Sequence, residues 1–98
     1  MLKQIMIRSK EIVDGRTRAD IFTYLIEEVG ELAAELNVES GYSQKKPGDD
    51  GVIGEAIDAI ICLVDLIRRH DPTITKKEID EIVENKLLKW QPKVFKTK

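Results

Sequence analysis

The chain has 98 residues, of which 42% are hydrophobic and 35% charged, with a net charge of −2. These values predict one soluble, globular domain with a modest core, and they argue against a disordered or fibrous chain. A single cysteine, Cys62, excludes an internal disulfide, and its apolar surroundings predict a buried thiol.

Two helices are predicted in the first 38 residues. The apolar spacing of residues 2–13 indicates a helix that ends at Asp14-Gly15. A second helix is predicted over residues 18–38, where Thr17 is the expected N-cap and Asp20 completes a variant of the capping box.

The second helix has two distinct faces at helical spacing. Its predicted core stripe consists of Ile21, Leu25, Val29, Leu32 and Leu36. A separate, acidic face consists of Asp20, Tyr24, Glu28, Glu31 and Glu35.

Residues 39–50 are predicted to form a loop, because glycine and proline interrupt the pattern there. A third helix is predicted over residues 51–69; it is apolar nearly all round and is expected to be central and buried on several sides. The fourth helix is expected to begin after the capping box of Thr75 and Glu78, and to stop near Trp90 because Pro92 follows. No strand pattern is present.

Four carboxylates occur as two pairs, each offset by three residues. Glu28 and Glu31 form the first pair, and Glu55 and Asp58 form the second. At this spacing both side chains of a pair project from one face of a helix. A carboxylate in apolar surroundings shifts its pKa, pairs with a cation or binds metal. Glu28 and Glu31 alone would suit a solvated helix face, but Glu55 and Asp58 lie in a helix with little other polarity, which favours a site for hard cations and phosphate chemistry.

The complete pattern is E-E-x-x-E at residues 27, 28 and 31, followed after a polar loop by E-x-x-D at residues 55 and 58. This pattern resembles the motifs of the MazG-like all-α nucleoside triphosphate pyrophosphohydrolases. The ending, residues 85–95, is similar to the basic fourth-helix segment of that family. The resemblance extends from the second helix to the C-terminus.

The resemblance implies an all-α, four-helix MazG-like bundle formed by a single domain, residues 1–98, with an active site completed by oligomerisation. It implies that the two acidic pairs bind Mg²⁺, with Mn²⁺ as a substitute, through Glu28, Glu31, Glu55 and Asp58. Glu27 would orient or deprotonate the attacking water. Lys86 would contact the substrate phosphates, and Lys89 would supply a second charge.

The chain departs from the family pattern at two positions. Trp90 stands where relatives often have a second basic residue, and Gly51 stands where some have a basic residue. Contacts to the phosphates are therefore also expected from Lys45, Lys46 or Arg16.

The function implied by the resemblance is hydrolysis of (deoxy)nucleoside triphosphates to a nucleoside monophosphate and pyrophosphate, a reaction that controls nucleotide pools. One alternative is a related diphosphohydrolase acting on dUTP, dCTP or phosphoribosyl-ATP. A second is a catalytically silent helical module that dimerises or binds a protein. The expected partners are a nucleotide and further copies of the chain, as a homodimer or a dimer of dimers. No membrane or nucleic acid is expected, and the expected location is the cytoplasm, since Lys3 and Gln4 interrupt any signal-like apolar run.

Overall fold

The structure, a computed structural model, describes residues 1–12, 14–41, 48 and 51–95, the last four of them through their backbone alone. These residues form four α-helices: α1 (Leu2–Glu11), α2 (Arg18–Glu39), α3 (Gly51–His70) and α4 (Lys76–Phe95). No strand occurs in the described ranges, so the predicted all-α class is confirmed. None of the described helices is long and apolar enough to cross a bilayer.

The two predicted capping boxes are present. The Thr17 side chain accepts a hydrogen bond from the Asp20 backbone N–H at 3.1 Å, and the Asp20 carboxylate accepts one from the Thr17 N–H at 2.9 Å. Thr75 and Glu78 make the same reciprocal bonds at 3.2 and 3.3 Å. Both boxes satisfy amides that have no partner within the helix, and they fix where α2 and α4 begin.

Two predicted helix ends are wrong. The first helix ends at Glu11, not at Asp14-Gly15, because Ile12 is already extended with φ −80° and ψ 108°. The fourth helix continues through Pro92 to Phe95. Proline removes one amide donor, and at this position only the last few residues of the helix follow it, so few backbone bonds are affected. Of the predicted loop over residues 39–50, Glu39 is instead the last residue of α2, residues 40, 41 and 48 are described, and the rest lie outside the described residues.

The core of the single chain is small. Met6 of α1, Val64 of α3 and Ile79 of α4 form its buried centre. The partly buried side chains around this centre are Leu2, Ile5, Ile60 and Ile74. Ile21 of α2 is the most deeply buried large side chain, at 2% exposure. The helix α3 packs against both α1 and α2.

Several residues predicted to be buried are exposed in the single chain. In α2, Val29 and Leu36 are 51% and 46% exposed, and in α3 Ile53 is 80% exposed. The predicted burial of α3 on several sides is therefore wrong for one copy of the chain. The reason is that α2 meets α3 through its acidic face: Ile21, Glu28 and Glu35, seven residues apart, are its buried residues.

The helix α4 contacts the rest of the chain through its beginning. Ile79 is buried, whereas the apolar side chains of Ile82, Val83 and Leu88 are about half exposed. No α-carbon of α4 lies within 8 Å of an α-carbon of α2 or α3 in the described ranges. The radius of gyration is 16.3 Å, against about 13 Å for a compact domain of this length. Most of α4 thus extends away from the core.

Candidate metal centre

The helices α2 and α3 pack against each other along a seam of polar side chains. On α2 the seam contains Tyr24, Glu28, Glu31 and Glu35, and on α3 it contains Glu55, Asp58, Cys62 and Asp65. Their alternating spacing of three and four residues keeps each set on one helix face. Across the seam, the pKa of Glu55 responds to Glu31, that of Glu28 to Asp58 and that of Tyr24 to Cys62. Later residues of α2 thus face earlier residues of α3, so the two helices run antiparallel.

Three seam carboxylates converge. Glu28, Glu31 and Glu55 each offer an oxygen, and these oxygens lie within 4.8 Å of one another. Glu28 is buried, Glu55 is half-buried and Glu31 is exposed, so the group opens to solvent on one side. The two helices therefore bring together three of the four predicted metal ligands.

Two carboxylate oxygens of this group are buried without a hydrogen-bond partner among the described residues. They are Oε2 of Glu28 and Oε2 of Glu55. Such an oxygen loses its hydration and gains nothing from the protein, which is destabilising when the group is ionised. A bound cation would supply the missing partner.

The pKa values of the group respond to this environment. Burial raises the pKa of Glu28 above its usual value, and the charges of Glu31 and Asp58 raise it further, while a hydrogen bond with Tyr24 opposes the rise. Burial also raises the pKa of Glu55, together with the Glu31 charge and a hydrogen bond to Glu31. Burial and the neighbouring carboxylates thus disfavour the ionised form of both carboxyls. A bound metal cation would favour the ionised form.

Asp58 and Glu27 lie beside this group without being part of it. Asp58 is half-buried on the seam, and its charge raises the pKa of both Glu28 and Glu55. Glu27 is exposed and is the weakest of the neighbours that raise the pKa of Glu28. Asp58 as a ligand and Glu27 as the residue that handles water remain predictions.

The donor set is compatible with Mg²⁺. Hard cations take carboxylate oxygens, and the group offers three of them with no nitrogen or sulfur ligand. Two oxygens bound to one Mg²⁺ are at most about 4.2 Å apart, so the oxygens need to approach one another only slightly. Glu28, Glu31 and Glu55 would hold such an ion and leave its solvent side open.

A cavity of about 520 Å³ lies further along the same seam, where Tyr24, Cys62 and Asp65 belong to its lining. It lies between α1, α2 and α3, and its walls are mainly aliphatic. Tyr24 lines this cavity and also interacts with Glu28, so the cavity and the acidic group share a wall. Arg8 and Arg16 add positive charge to the lining. The cavity has the size and the mixed character of a small-molecule site.

The predicted phosphate-binding lysines lie elsewhere in the single chain. Lys86 and Lys89 are exposed on α4 and line a shallow groove with Val83, Leu87 and Trp90. Because α4 does not approach α2 or α3 in the described ranges, one copy does not bring these lysines to the carboxylates. Lys45 and Lys46 lie outside the described residues. Of the predicted alternatives, Arg16 lines the cavity.

The remaining acidic residue of the α3 seam, Asp65, is part of an ion-pair network. It contacts Arg16 at 3.3 Å, Arg69 at 3.6 Å and Arg68 at 3.8 Å, and it accepts a hydrogen bond from Ser9. Asp65 is therefore a salt-bridge residue of the fold. Cys62 is buried, as predicted, and burial raises its pKa.

Sequence reasoning assigned no role to Tyr24 or Ser9. Tyr24 lies four residues before Glu28 on the acidic face, a spacing that places the two side chains together. Ser9 gave no such signal, because it meets Asp65 across 56 positions of sequence.

No family model matches the chain, and neither the curated proteins nor the solved structures include a match.

Proposed function

We propose that the protein is a Mg²⁺-dependent hydrolase that converts (deoxy)nucleoside triphosphates to nucleoside monophosphates and pyrophosphate. The observation that carries this proposal is the convergence of Glu28, Glu31 and Glu55, with two buried oxygens that have no hydrogen-bond partner. This is also the activity implied by the resemblance of the two acidic motifs to the MazG-like family.

The cavity beside the carboxylates supports a nucleotide as the substrate. Its aliphatic lining and Tyr24 suit an apolar, planar group such as a base, and its volume of about 520 Å³ is in the range of ligand pockets. A nucleoside placed there would have its phosphates directed towards Glu28, past the Tyr24 hydroxyl.

The proposed reaction is attack of water on the α-phosphorus, with cleavage of the bond between that phosphorus and the bridging oxygen to the β-phosphate. A bound Mg²⁺ would neutralise phosphate charge and lower the pKa of a bound water. Glu28, Glu31 and Glu55 would hold the ion together with Asp58, and Glu27 would accept the proton of the attacking water. The water oxygen then remains on the nucleoside monophosphate, and pyrophosphate leaves.

The triphosphate also needs positive charge from the protein. Within one chain, Arg16 is already ion-paired with Asp14 and Asp65, which leaves Arg8 of the cavity lining as a candidate to supply it. We propose that Lys86 and Lys89 come from a second copy, in a homodimer or dimer of dimers that completes the helical bundle. The exposed apolar residues of α4 and the large radius of gyration support such an assembly.

A panel of ribo- and deoxynucleoside triphosphates with Mg²⁺ tests the proposal, with pyrophosphate and monophosphate measured as products. Expected is stoichiometric release of both products from at least one triphosphate, abolished by EDTA and restored by Mg²⁺ or Mn²⁺. Release of inorganic phosphate in place of pyrophosphate would contradict the proposed bond cleavage.

Phosphoribosyl-ATP belongs in the same panel, because the acidic group would serve any substrate with an α–β phosphate link. Activity on it alone would assign the chain to that related diphosphohydrolase reaction. If every substrate stays intact, the silent helical module is the better description, and the exposed apolar side chains of α4 are its candidate binding surface.

A further inference from the structure

A second charged site lies at the other end of α3. There, the end of α1, the beginning of α2 and the end of α3 meet around a cleft of about 440 Å³. Its charged lining consists of Lys10, Arg16, Arg18, Arg68, Arg69 and Asp14. The cleft is about 16 Å from the candidate metal centre, because α3 rises by this distance between Asp58 and Arg69.

Positive charge exceeds negative charge in this cleft. Asp14 is its one acidic lining residue, and Asp65 lies behind it, bound to the arginines. Five cations against these two carboxylates leave an excess of three positive charges. Neither Lys10 nor Arg18 forms an ion pair with a carboxylate in the described part of the chain.

The helix dipoles favour some of the cations in this cleft but not all of them. Arg68 and Arg69 are in the last turn of α3, and Lys10 is in the last turn of α1, where cations are favourable. Arg18 is the first residue of α2, where the helix dipole disfavours a cation. Its guanidinium is 3.0 Å from Nδ1 of His70, a contact that is a hydrogen bond only when that nitrogen is unprotonated. This contact leaves the charge of Arg18 uncompensated.

We propose that this cleft binds a small anion that carries a diphosphate group. Arginine forks match phosphate oxygens in pairs, and Arg16, Arg18 and Arg69 come from the segment before α2, from α2 and from α3, so they can surround one ligand. The volume is large enough for a diphosphate and falls within the range of small-molecule pockets. The site is separate from the carboxylates and does not depend on the proposed hydrolysis.

Calorimetric titration with inorganic pyrophosphate in EDTA tests this proposal. Without divalent metal the carboxylates repel the anion, so the outcome is independent of the candidate metal centre. The test variant is Lys10→Gln/Arg18→Gln, in which both residues are exposed. The charge-matched control is Lys3→Gln/Lys77→Gln, which removes two exposed cations outside the cleft.

The wild-type protein is expected to bind one pyrophosphate saturably. Affinity should fall at least about tenfold in the test variant and change less than about twofold in the control. A titration that does not saturate, or equal weakening in both variants, would overturn the proposal. A parallel titration with ADP separates the sources of the group: equal affinity indicates a nucleotide-borne diphosphate, and much weaker binding indicates free pyrophosphate.

Discussion

The two halves of α3 place a carboxylate in opposite electrostatic surroundings. Near its end, buried Asp65 contacts three arginines and accepts a hydrogen bond from Ser9. Near its beginning, half-buried Glu55 has an oxygen without a hydrogen-bond partner in the described ranges, and the neighbouring charge that raises its pKa most is another carboxylate, Glu31.

This difference shows that burial alone does not separate a structural carboxylate from a candidate metal ligand. Both residues lie on the same seam and ten positions apart. The partners differ: arginines of the fold compensate the charge of Asp65, whereas in the described part of the chain Glu55 lies among like charges, which a proton or a bound cation would compensate. The predictions below test this contrast.

The largest expected effect is on turnover. Replacing Glu28 or Glu55 by Gln removes a charged oxygen ligand, and kcat/KM for the triphosphate should fall by about 10³-fold, as for loss of an electrostatic group at a reacting centre. Glu39→Gln, an exposed change at the end of the same α2 helix, is the control and should keep activity. Wild-type rates in either test variant would remove that residue from the metal site. Circular dichroism should show all variants folded.

The next effect is on stability. Asp65→Asn leaves Arg68, which is mostly buried, without a carboxylate partner in the described residues, whereas Arg69 keeps its ion pair with Asp14. The free energy of unfolding should fall by about 3 kcal/mol. For a domain of this size, that is a fall in Tm of more than about 10 °C. Denaturant unfolding of the wild type and the variant measures it. Glu55→Gln, measured in the same way without divalent metal, should show no loss in the free energy of unfolding. A stable Asp65→Asn protein would mean that the network is not needed for folding.

Local sequence signals predicted much of this structure. The capping boxes at Thr17 and Thr75 fixed the beginnings of two helices within a residue, because both partners of each box lie within four positions. The spacing of three residues placed the members of each acidic pair on one helix face. The expectation that the two pairs face each other came from the resemblance to the MazG-like family, and the structure brings Glu28, Glu31 and Glu55 together.

Features that depend on distant contacts were not predicted. The buried stripe of α2 includes Glu28 and Glu35 and leaves Val29 exposed, because α3 packs on the acidic face. Apolar periodicity cannot reveal this, since it assumes that the apolar face is the buried one. The Asp65 network and the cleft near Arg18 unite positions more than 50 residues apart.

The third prediction concerns the metal. A cation that binds the folded seam and not the unfolded chain should raise the free energy of unfolding by about 2.7 kcal/mol at 100 times its Kd. Thermal melts across a Mg²⁺ titration, repeated with Mn²⁺, should show a saturable rise in Tm. Asp65→Asn, if folded, should keep this rise, whereas Glu55→Gln should lose most of it. A flat titration of the wild type would contradict a preformed site.

A smaller effect is expected for Lys86, which reaches the carboxylates only if a second copy supplies α4. Lys86→Ala should lower kcat/KM about tenfold, or about 1.4 kcal/mol. Lys77→Ala, an exposed lysine near the start of α4, is the control.

Mixed dimers test whether Lys86 acts across subunits. In a refolded equal mixture of Glu55→Gln and Lys86→Ala chains, half of the sites in mixed dimers would be intact, giving about a quarter of wild-type activity. If Lys86 acts within its own chain, no intact site forms, and activity should not exceed the low level of Lys86→Ala alone.

The smallest effect is the pH dependence of the metal-free protein. Folding raises the pKa of Glu28 and Glu55, first through burial and then through neighbouring carboxylates. A raised carboxyl pKa contributes stability that is complete below the usual value of 4.5 and is lost as pH rises through the raised value. The pKa of Asp14 is lowered because its carboxylate accepts a hydrogen bond from the Arg16 backbone N–H, so the stability that Asp14 contributes is lost only as pH falls below 3.8.

Because the pKa of Glu55 is raised, Glu55→Gln in EDTA should melt at a higher temperature than wild type at pH 7.5. The difference should shrink as pH falls through the raised pKa and below 4.5, because Glu55 is then increasingly protonated in both the folded and the unfolded chain. Melts of the two proteins across this range, with Glu39→Gln as the reference, measure it. A constant difference at every pH would assign the effect to packing and not to charge, and Glu55 would lose its contrast with Asp65.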